Sequence, residues 1–417
     1  MNFLQSKIEN LKTRYHINLN LVGLMVGAVF FLSVFDSIMS YIVPIVMTDS
    51  GLTDFQMGLL YASSSFFGLI FDFLLARYLT STSYKKTFAI VLVTALLFPI
   101  CMFISPQFVP FLVGMMLWGL YYNLWGFASS DFTATETKVA FHVTSVSILF
   151  FFHDIGYVVG TLGAEPLLAA FTYKQLLWIL IGLVLVALLM FIPLVKKRND
   201  VHKRSDDVPR GRPVSFATEL LKLRYVGVKL LPLLILGITM STIDAVTWTI
   251  TPIIERILPA LENLGGIILA VNFLPSFFAY GMAGPISIRF GKKKTGIVTF
   301  ILGSVAISLL GFTQSIPLYL LISFISAFFY SIAYAAVGGA FADYLKESSS
   351  NDNEILSTHD MATNLGYVVG PILGGGLLTL LNSAILFTYI GVVAAIIGCY
   401  VLVMMPKKIS FLEHNKG

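Results

Sequence analysis

Cysteine is nearly absent. The 417 residues hold two, Cys101 and Cys399, both inside apolar runs. Two isolated thiols exclude a disulfide framework and a CxxC metal or redox site. Their expected role is that of small buried hydrophobes. Charge is scarce as well: 12% of residues are Asp, Glu, Lys or Arg, against 57% hydrophobic, and the mean hydropathy is +0.85. Soluble domains are about 25% charged, so an ordinary soluble fold is excluded. Ten-residue segments of alternating hydrophobicity do not occur in series, which excludes a transmembrane β-barrel. There is no HExxH and no GxSxG, and Gly291-Lys-Lys-Lys-Thr-Gly296 lacks the residue order of a phosphate loop. No enzyme, metal site or cofactor is therefore expected. The net charge of +5 does not indicate nucleic-acid binding, because its placement follows topology.

One further absence bears on substrate. No Lys or Arg lies deep inside any apolar run. Carriers of organic anions or phosphate esters usually meet the negative group with a buried cation. A path whose deep charges are acids and one His prefers cationic or neutral solutes.

What the chain does have is long apolar stretches, which are expected to be helices because a helix satisfies its own backbone polar groups in lipid. Twelve spans are read: 19–47, 55–79, 87–105, 108–131, 139–170, 174–195, 229–255, 262–288, 295–313, 316–344, 358–382 and 384–405. The first 18 residues are polar, and the run after them is too long for a signal-peptide core, so it is read as a retained span. Residues 196–228 contain KKRNDVHKRSDDVPRGRP. They read as a charged linker whose tail, Leu220 to Leu230, lies along the membrane surface. The domains expected are 1–195, the linker 196–228, and 229–417.

Twelve spans put both termini on one side. Of the 27 Lys and Arg, 25 fall at the termini, in the linker and in the 2–3, 4–5, 8–9 and 10–11 loops, leaving Lys174 and Arg256 on the other side. The positive-inside rule then places both termini and the linker in the cytoplasm. A plasma-membrane, multi-pass location is expected.

The chain repeats itself. Residues 33–45 read SVFDSIMSYIVPI and residues 241–253 read STIDAVTWTITPI. A Ser, an Asp and a Pro recur 208 residues later (33 to 241, 36 to 244, 44 to 252). Gly156-Tyr-Val-Val-Gly160 in span 5 recurs as Gly366-Tyr-Val-Val-Gly370 in span 11. Matches in the same order and orientation imply parallel six-helix repeats, related by an axis along the membrane normal.

With these features the sequence resembles the major facilitator superfamily. The resemblance rests on the 6+6 layout, the basic middle loop, the glycine motif of spans 5 and 11, and the loop Gly284-Pro-Ile-Ser-Ile-Arg289-Phe-Gly291-Lys292-Lys293. That loop fits the family's G-x-x-x-D-R-x-G-R-K pattern except for Ile288 in the Asp place. The first-half copy keeps Gly68 and Asp72, displaces Arg77 and lacks the glycine. The resemblance implies an all-α membrane protein of two pseudo-symmetric six-helix bundles, working as a secondary transporter. The nearest resemblance is to drug:proton antiporter-like members. Two departures stand out: the Gly-Pro pair is in span 11 (Gly370-Pro371) rather than span 5, and the antiporters' span-4 Arg is replaced by Tyr122.

The residues expected to carry chemistry begin with the acids. A charge at the depth of Asp36 or Asp244 costs about 2.5–3.5 kcal/mol, so each must face a wet cavity or a partner. On helical spacing Ser33, Asp36, Ser40 and Tyr41 share a stripe, as do Ser241, Asp244 and Trp248. Both stripes are expected to line a central path. Asp36 is the first candidate proton carrier, with Asp244, His153 and Asp154 as secondary candidates; packing alone would also account for them. His153 and Asp154, being adjacent, are expected to point about 100° apart. Tyr122 and Asn123 in span 4, Tyr330 and Tyr334 in span 10, and Asn364 in span 11 complete the candidate cavity, the rings suiting cation–π contact. Arg289, Gly291, Lys292 and Lys293 are expected to form a cytoplasmic gate with Asp72, Arg77, Asp131, Glu136 and Asp343 across the seam between halves. Gly156, Gly160, Gly163, Gly366, Gly370 and Gly374, with the kink of Pro371, are expected to serve close helix packing.

The expected function is a proton-coupled transporter exporting cationic or amphipathic small molecules, monomeric in the bilayer. The alternatives are a proton-linked importer of a neutral solute such as a sugar, and a membrane sensor or assembly protein that moves nothing.

Overall fold

A computed structural model describes residues 19–78, 83–104, 107–136, 142–196, 216–256, 258–347, 352–381 and 385–406. The linker core, residues 197–215, lies outside them. The described residues are helical throughout, with no strand. The helices are α1 (Leu19–Asp49), α2 (Asp54–Tyr78), α3 (Tyr84–Ile104), α4 (Phe108–Glu136), α5 (His142–Ala170), α6 (Tyr173–Lys196), α7 (Phe216–Ile250), α8 (Gly265–Phe273), α9 (Ser276–Phe290), α10 (Lys292–Ser308), α11 (Ile316–Glu347), α12 (Asp352–Leu381) and α13 (Ile385–Met404). Among the described residues, eleven segments are long and apolar enough to cross a membrane.

Two boundaries differ from the sequence reading, each for a local reason. Span 8 breaks into α8 and α9 at Leu274-Pro275. Proline has no N–H for the helical ladder and its ring crowds the preceding turn, so the chain restarts with Pro275 accepting from Ala279 N at 2.8 Å. The segment 220–230, expected to lie on the surface, is instead the first part of α7. Leu, Lys and Arg are good helix formers, and that stretch has no Pro or charge cluster to stop the helix propagating into span 7. Gly291 joins α9 to α10 with φ of +85°, a conformation that only glycine adopts cheaply. Its role is to turn the chain.

The chain divides into two compact units, Met1–Ser50 with Ile70–Pro209, and Gly51–Leu69 with Arg210–Gly417. In the first, α1 packs on α5 and α6, and α3 on α4 and α6. In the second, α7 packs on α12, α10 on α11 and α13, and α9 on α11. The outer part of α2 belongs with the second unit, where Gly58 and Gly375 bring α2 and α12 to backbone contact.

The glycine motif explains the tightest contacts inside each unit. A Cβ at Gly156 would stand 2.8 Å from Phe30 O and 2.7 Å from Ser33 Cβ; one at Gly366 would stand 2.5 Å from Ile238 O and 2.6 Å from Ser241 Cβ. Gly160 packs on Ser37 and Val34 O, and Gly370 on Ala245 and Thr242 O. Every partner in the second unit is the 208-residue copy of a partner in the first. The sequence repeat is thus a repeat of atomic contacts. Gly374 packs more loosely, against the side chain of Ile250 at 3.1 Å, and Gly163 faces open space, so Gly163 is no packing glycine.

Candidate functional site

Asp36 is 1% exposed and sits where α1, α4 and α5 meet. Its Oδ1 accepts from Trp118 Nε1 at 2.8 Å. Its Oδ2 accepts from Tyr122 Oη at 2.9 Å and from Tyr157 Oη. Trp118 and Tyr122 are one turn apart on α4, so they share a face and stack at 5.7 Å between centroids; Phe98 stacks on the other side of Trp118 at 4.9 Å. The hydroxyls of Tyr122 and Tyr157 are 3.4 Å apart. Of the three donors, Trp118 and Tyr157 are buried, while Tyr122 is 39% exposed. Asp36 therefore meets three neutral partners rather than open water.

One turn before Tyr157 on α5, the His153 ring stacks on it at 4.6 Å and lies 5.1 Å from the Trp125 ring. His153 Nδ1 is 3.1 Å from Asp154 Oδ1. These adjacent residues, expected to diverge, meet because both side chains swing from their Cβ atoms toward each other. A second such pair, His359 and Asp360 on α12 at 3.3 Å, was not anticipated.

Asp244 on α7 accepts from Tyr367 Oη of α12. Tyr367 is the repeat copy of Tyr157, so each unit ties its acid to the tyrosine inside its G-Y-V-V-G motif. Sequence reasoning named the glycines of that motif and passed over the tyrosines, although the motif itself was the signal. Trp118 was missed as well, and only its one-turn spacing from Tyr122 could have raised it. Tyr334 of α11, 38% exposed, lies within electrostatic range of Asp244, and Ser241 is next to its hydroxyl. Trp248, one turn after Asp244, packs against Phe273 at 5.6 Å. Tyr330 turns to Ser304, 3.0 Å away. Asn364 is half-buried on α12, as is Asn123 on α4.

Several residues expected to line the cavity are buried. Ser33 and Ser40 are 2% and 3% exposed, and their hydroxyls donate to the Val29 and Asp36 carbonyls of their own helix. Tyr41 and Ser241 are buried too. Ser33 and Ser241 are covered by the α1–α5 and α7–α12 packing that Gly156 and Gly366 permit. The gate residues also sort differently. Lys292 pairs with Asp343 at 2.6 Å inside the second unit and donates to Gly339 O at 3.2 Å, so this pair does not cross between halves. Lys293 donates to Pro406 O at 2.9 Å. Arg289 lies 5.3 Å from the Phe290 ring. Asp131 accepts from Tyr84 N at 2.7 Å and Glu136 from Tyr84 Oη at 2.9 Å, so both acids fix the start of α3. The side chains of Asp72 and Arg77 lie outside the described residues.

The sequence profile of the Major Facilitator Superfamily matches residues 24–258 and 233–416. The chain belongs to this superfamily. It is a membrane transporter, not an enzyme. The nucleoside transporter NupG superposes with a TM-score of 0.76 at 13% identity, covering 94% of this chain and 100% of that one. A bacterial homolog of the human lysosomal transporter Spinster gives 0.63 at 12% identity, over 92% and 94%. The human organic anion transporter MFSD10 gives 0.64 at 12% identity, over 92% and 99%. At such identities the likeness establishes the fold alone. No curated protein matches the chain in sequence.

Proposed function

We propose that this major facilitator couples proton movement to the transport of a cationic or amphipathic small molecule, with Asp36 as the proton carrier. The observation that carries the reading is the full occupancy of Asp36 by Trp118, Tyr122 and Tyr157. An ionised carboxylate accepts all three hydrogen bonds; a protonated one must donate at one oxygen. Protonation of Oδ2 therefore forces one of its two tyrosine hydrogen bonds to reverse or to break. Tyr122 is the exposed one, so it is the partner freed to turn outward. Proton uptake then loosens α1 from α4 while the glycine contacts hold α1 to α5. That is a local switch on which alternating access acts.

The energetics suffice. One charge crossing 100 mV supplies about 2.3 kcal/mol, enough for roughly a fifty-fold gradient at about 1.4 kcal/mol per tenfold. The placement of Lys and Arg supports cytoplasmic termini, and the absence of Lys and Arg deep in the apolar runs supports a cationic substrate; export across a plasma membrane belongs to the same reading. The drug:proton antiporter-like subfamily, the boundary between halves near residues 196–228 and a monomeric state belong to the same reading.

A second reading is proton-linked uptake of a neutral solute. It is favoured by the neutral hydroxyl and indole groups around Asp36 and by the fold likeness to a transporter of nucleosides. Proteoliposomes under an imposed pH gradient separate the two. Gradient-driven movement of tetraphenylphosphonium with no movement of uridine supports the first; the reverse supports the second. Movement of either probe that is indifferent to the pH gradient removes proton coupling from both.

A further inference from the structure

The repeat places Asp36 and Asp244 at equivalent positions, yet their surroundings differ in a way that the 208-residue offset explains residue by residue. Trp118, a donor to Asp36, has Ser326 as its copy, and Ser326 donates to Gly303 O at 3.0 Å instead. Tyr122, the second donor, has Tyr330 as its copy, and Tyr330 is turned to Ser304. Only the third donor is kept, as Tyr367. Asp244 has lost two of its three internal partners.

Aromatic surface has been added in exchange. Gly126 of α4 has Tyr334 of α11 as its copy, and Ser40 of α1 has Trp248 of α7. Trp248 lies one turn from Asp244 on the same face of α7. Tyr334 stands on α11, which packs against α7, within electrostatic range of the carboxylate. Asp36 is sealed at 1% exposure, whereas Asp244, Trp248 and Tyr334 are all partly exposed.

From this divergence we propose that Asp244, Trp248 and Tyr334 form a binding subsite for a positively charged nitrogen or phosphonium-like group of the substrate, while Asp36 is left to the proton. The proposal rests on the transporter reading above and reassigns Asp244 from proton carriage to substrate recognition. The chemistry fits a cation in particular. A carboxylate with acceptor capacity to spare supplies the charge, and two aromatic residues, one a turn away on α7 and one on the neighbouring α11, can supply cation–π attraction, strengthened where water is excluded. A neutral polyol would instead require several hydrogen-bonding groups around the acid. Here Tyr330 and Ser326, the positions that could have offered them, are engaged with α10.

The test is equilibrium binding, without any gradient, to the purified full-length chain in detergent. Isothermal titration would use tetraphenylphosphonium as the cationic probe and uridine as the neutral one. Wild type is expected to bind tetraphenylphosphonium. Asp244→Asn weakens it at least about tenfold, and Asp244→Glu recovers most of the loss. If Asp244→Asn elutes aggregated on size exclusion, Tyr334→Ala against Tyr334→Phe decides: loss with Ala and retention with Phe supports the ring-face contact. Failure of folded wild type to bind tetraphenylphosphonium overturns the proposal, whether or not uridine binds. So does an unchanged affinity in Asp244→Asn or in Tyr334→Ala. Because no proton gradient enters the measurement, a failure of proton coupling would show only in the vesicle experiment.

Discussion

Gly156 on α5 rests against Ser33 on α1 so closely that a Cβ added to the glycine would stand 2.7 Å from the serine Cβ. Gly366 and Ser241 repeat the arrangement at 2.6 Å. These contacts hold each acid-bearing helix against the helix that supplies its tyrosine. Gly156→Ala is expected to destabilise the folded protein by about 1–3 kcal/mol, the usual cost of overpacking. Gly163→Ala, with open space around it, is expected to be neutral or slightly stabilising. A thermal-shift series in detergent checks both.

Tyr157→Phe removes a hydroxyl from a buried acid and leaves the ring in place. A hydrogen bond to a charged group is worth about 1.5–3 kcal/mol, and the loss falls on the ionised form of Asp36. The expected outcome is a transporter that stays folded and moves substrate with weakened response to the pH gradient. Tyr122→Phe is expected to do the same. Full gradient response in both variants would detach these tyrosines from coupling.

Lys292 and Asp343 are a counter-example to reading importance from geometry. Their separation is 2.6 Å, but their side chains are 39% and 51% exposed. Exposed pairs contribute about 0–1 kcal/mol. Lys292→Gln is expected to shift the unfolding midpoint little and to leave transport close to wild type. A loss of transport with unchanged stability would restore these residues to a gating role.

On α2, Gly58 meets the Pro371 carbonyl and Gly375 of α12, and Gly375 in turn meets the Asp54 carbonyl. Two backbones in contact leave no room for a side chain on either. Gly58→Val is expected to force the helices apart, with transport falling strongly while the chain still inserts.

Much of this was legible in the sequence, and the rest was hidden for definable reasons. Asp36 and Asp244 announce themselves because a lone carboxyl in an apolar run is costly, and the 208-residue offset pairs them. Helix type and order follow from apolar run length. Tyr157 and Tyr367 were less visible: a tyrosine in a membrane span is ordinary, and only its reach to the acid distinguishes it. The burial of Ser33 and Ser241 was misread because helical spacing tells which residues share a face, but not what the face meets. His153 and Asp154 defied the 100° argument, since that angle governs Cα–Cβ directions and not the ends of side chains. Asp343 was a named candidate partner of Lys292, but that the pair lies within one unit is a tertiary relationship that no local pattern encodes.

The central claim is that Asp36 takes up and releases a proton inside the ring of Trp118, Tyr122 and Tyr157. pH-difference infrared spectroscopy of the purified protein tests it without any substrate. Acidification of wild type should produce a buried carboxylic-acid C=O band together with changes in tyrosine ring modes, and that band should vanish in Asp36→Asn and persist in Asp244→Asn. An Asp36→Asn spectrum that matches wild type would contradict the account.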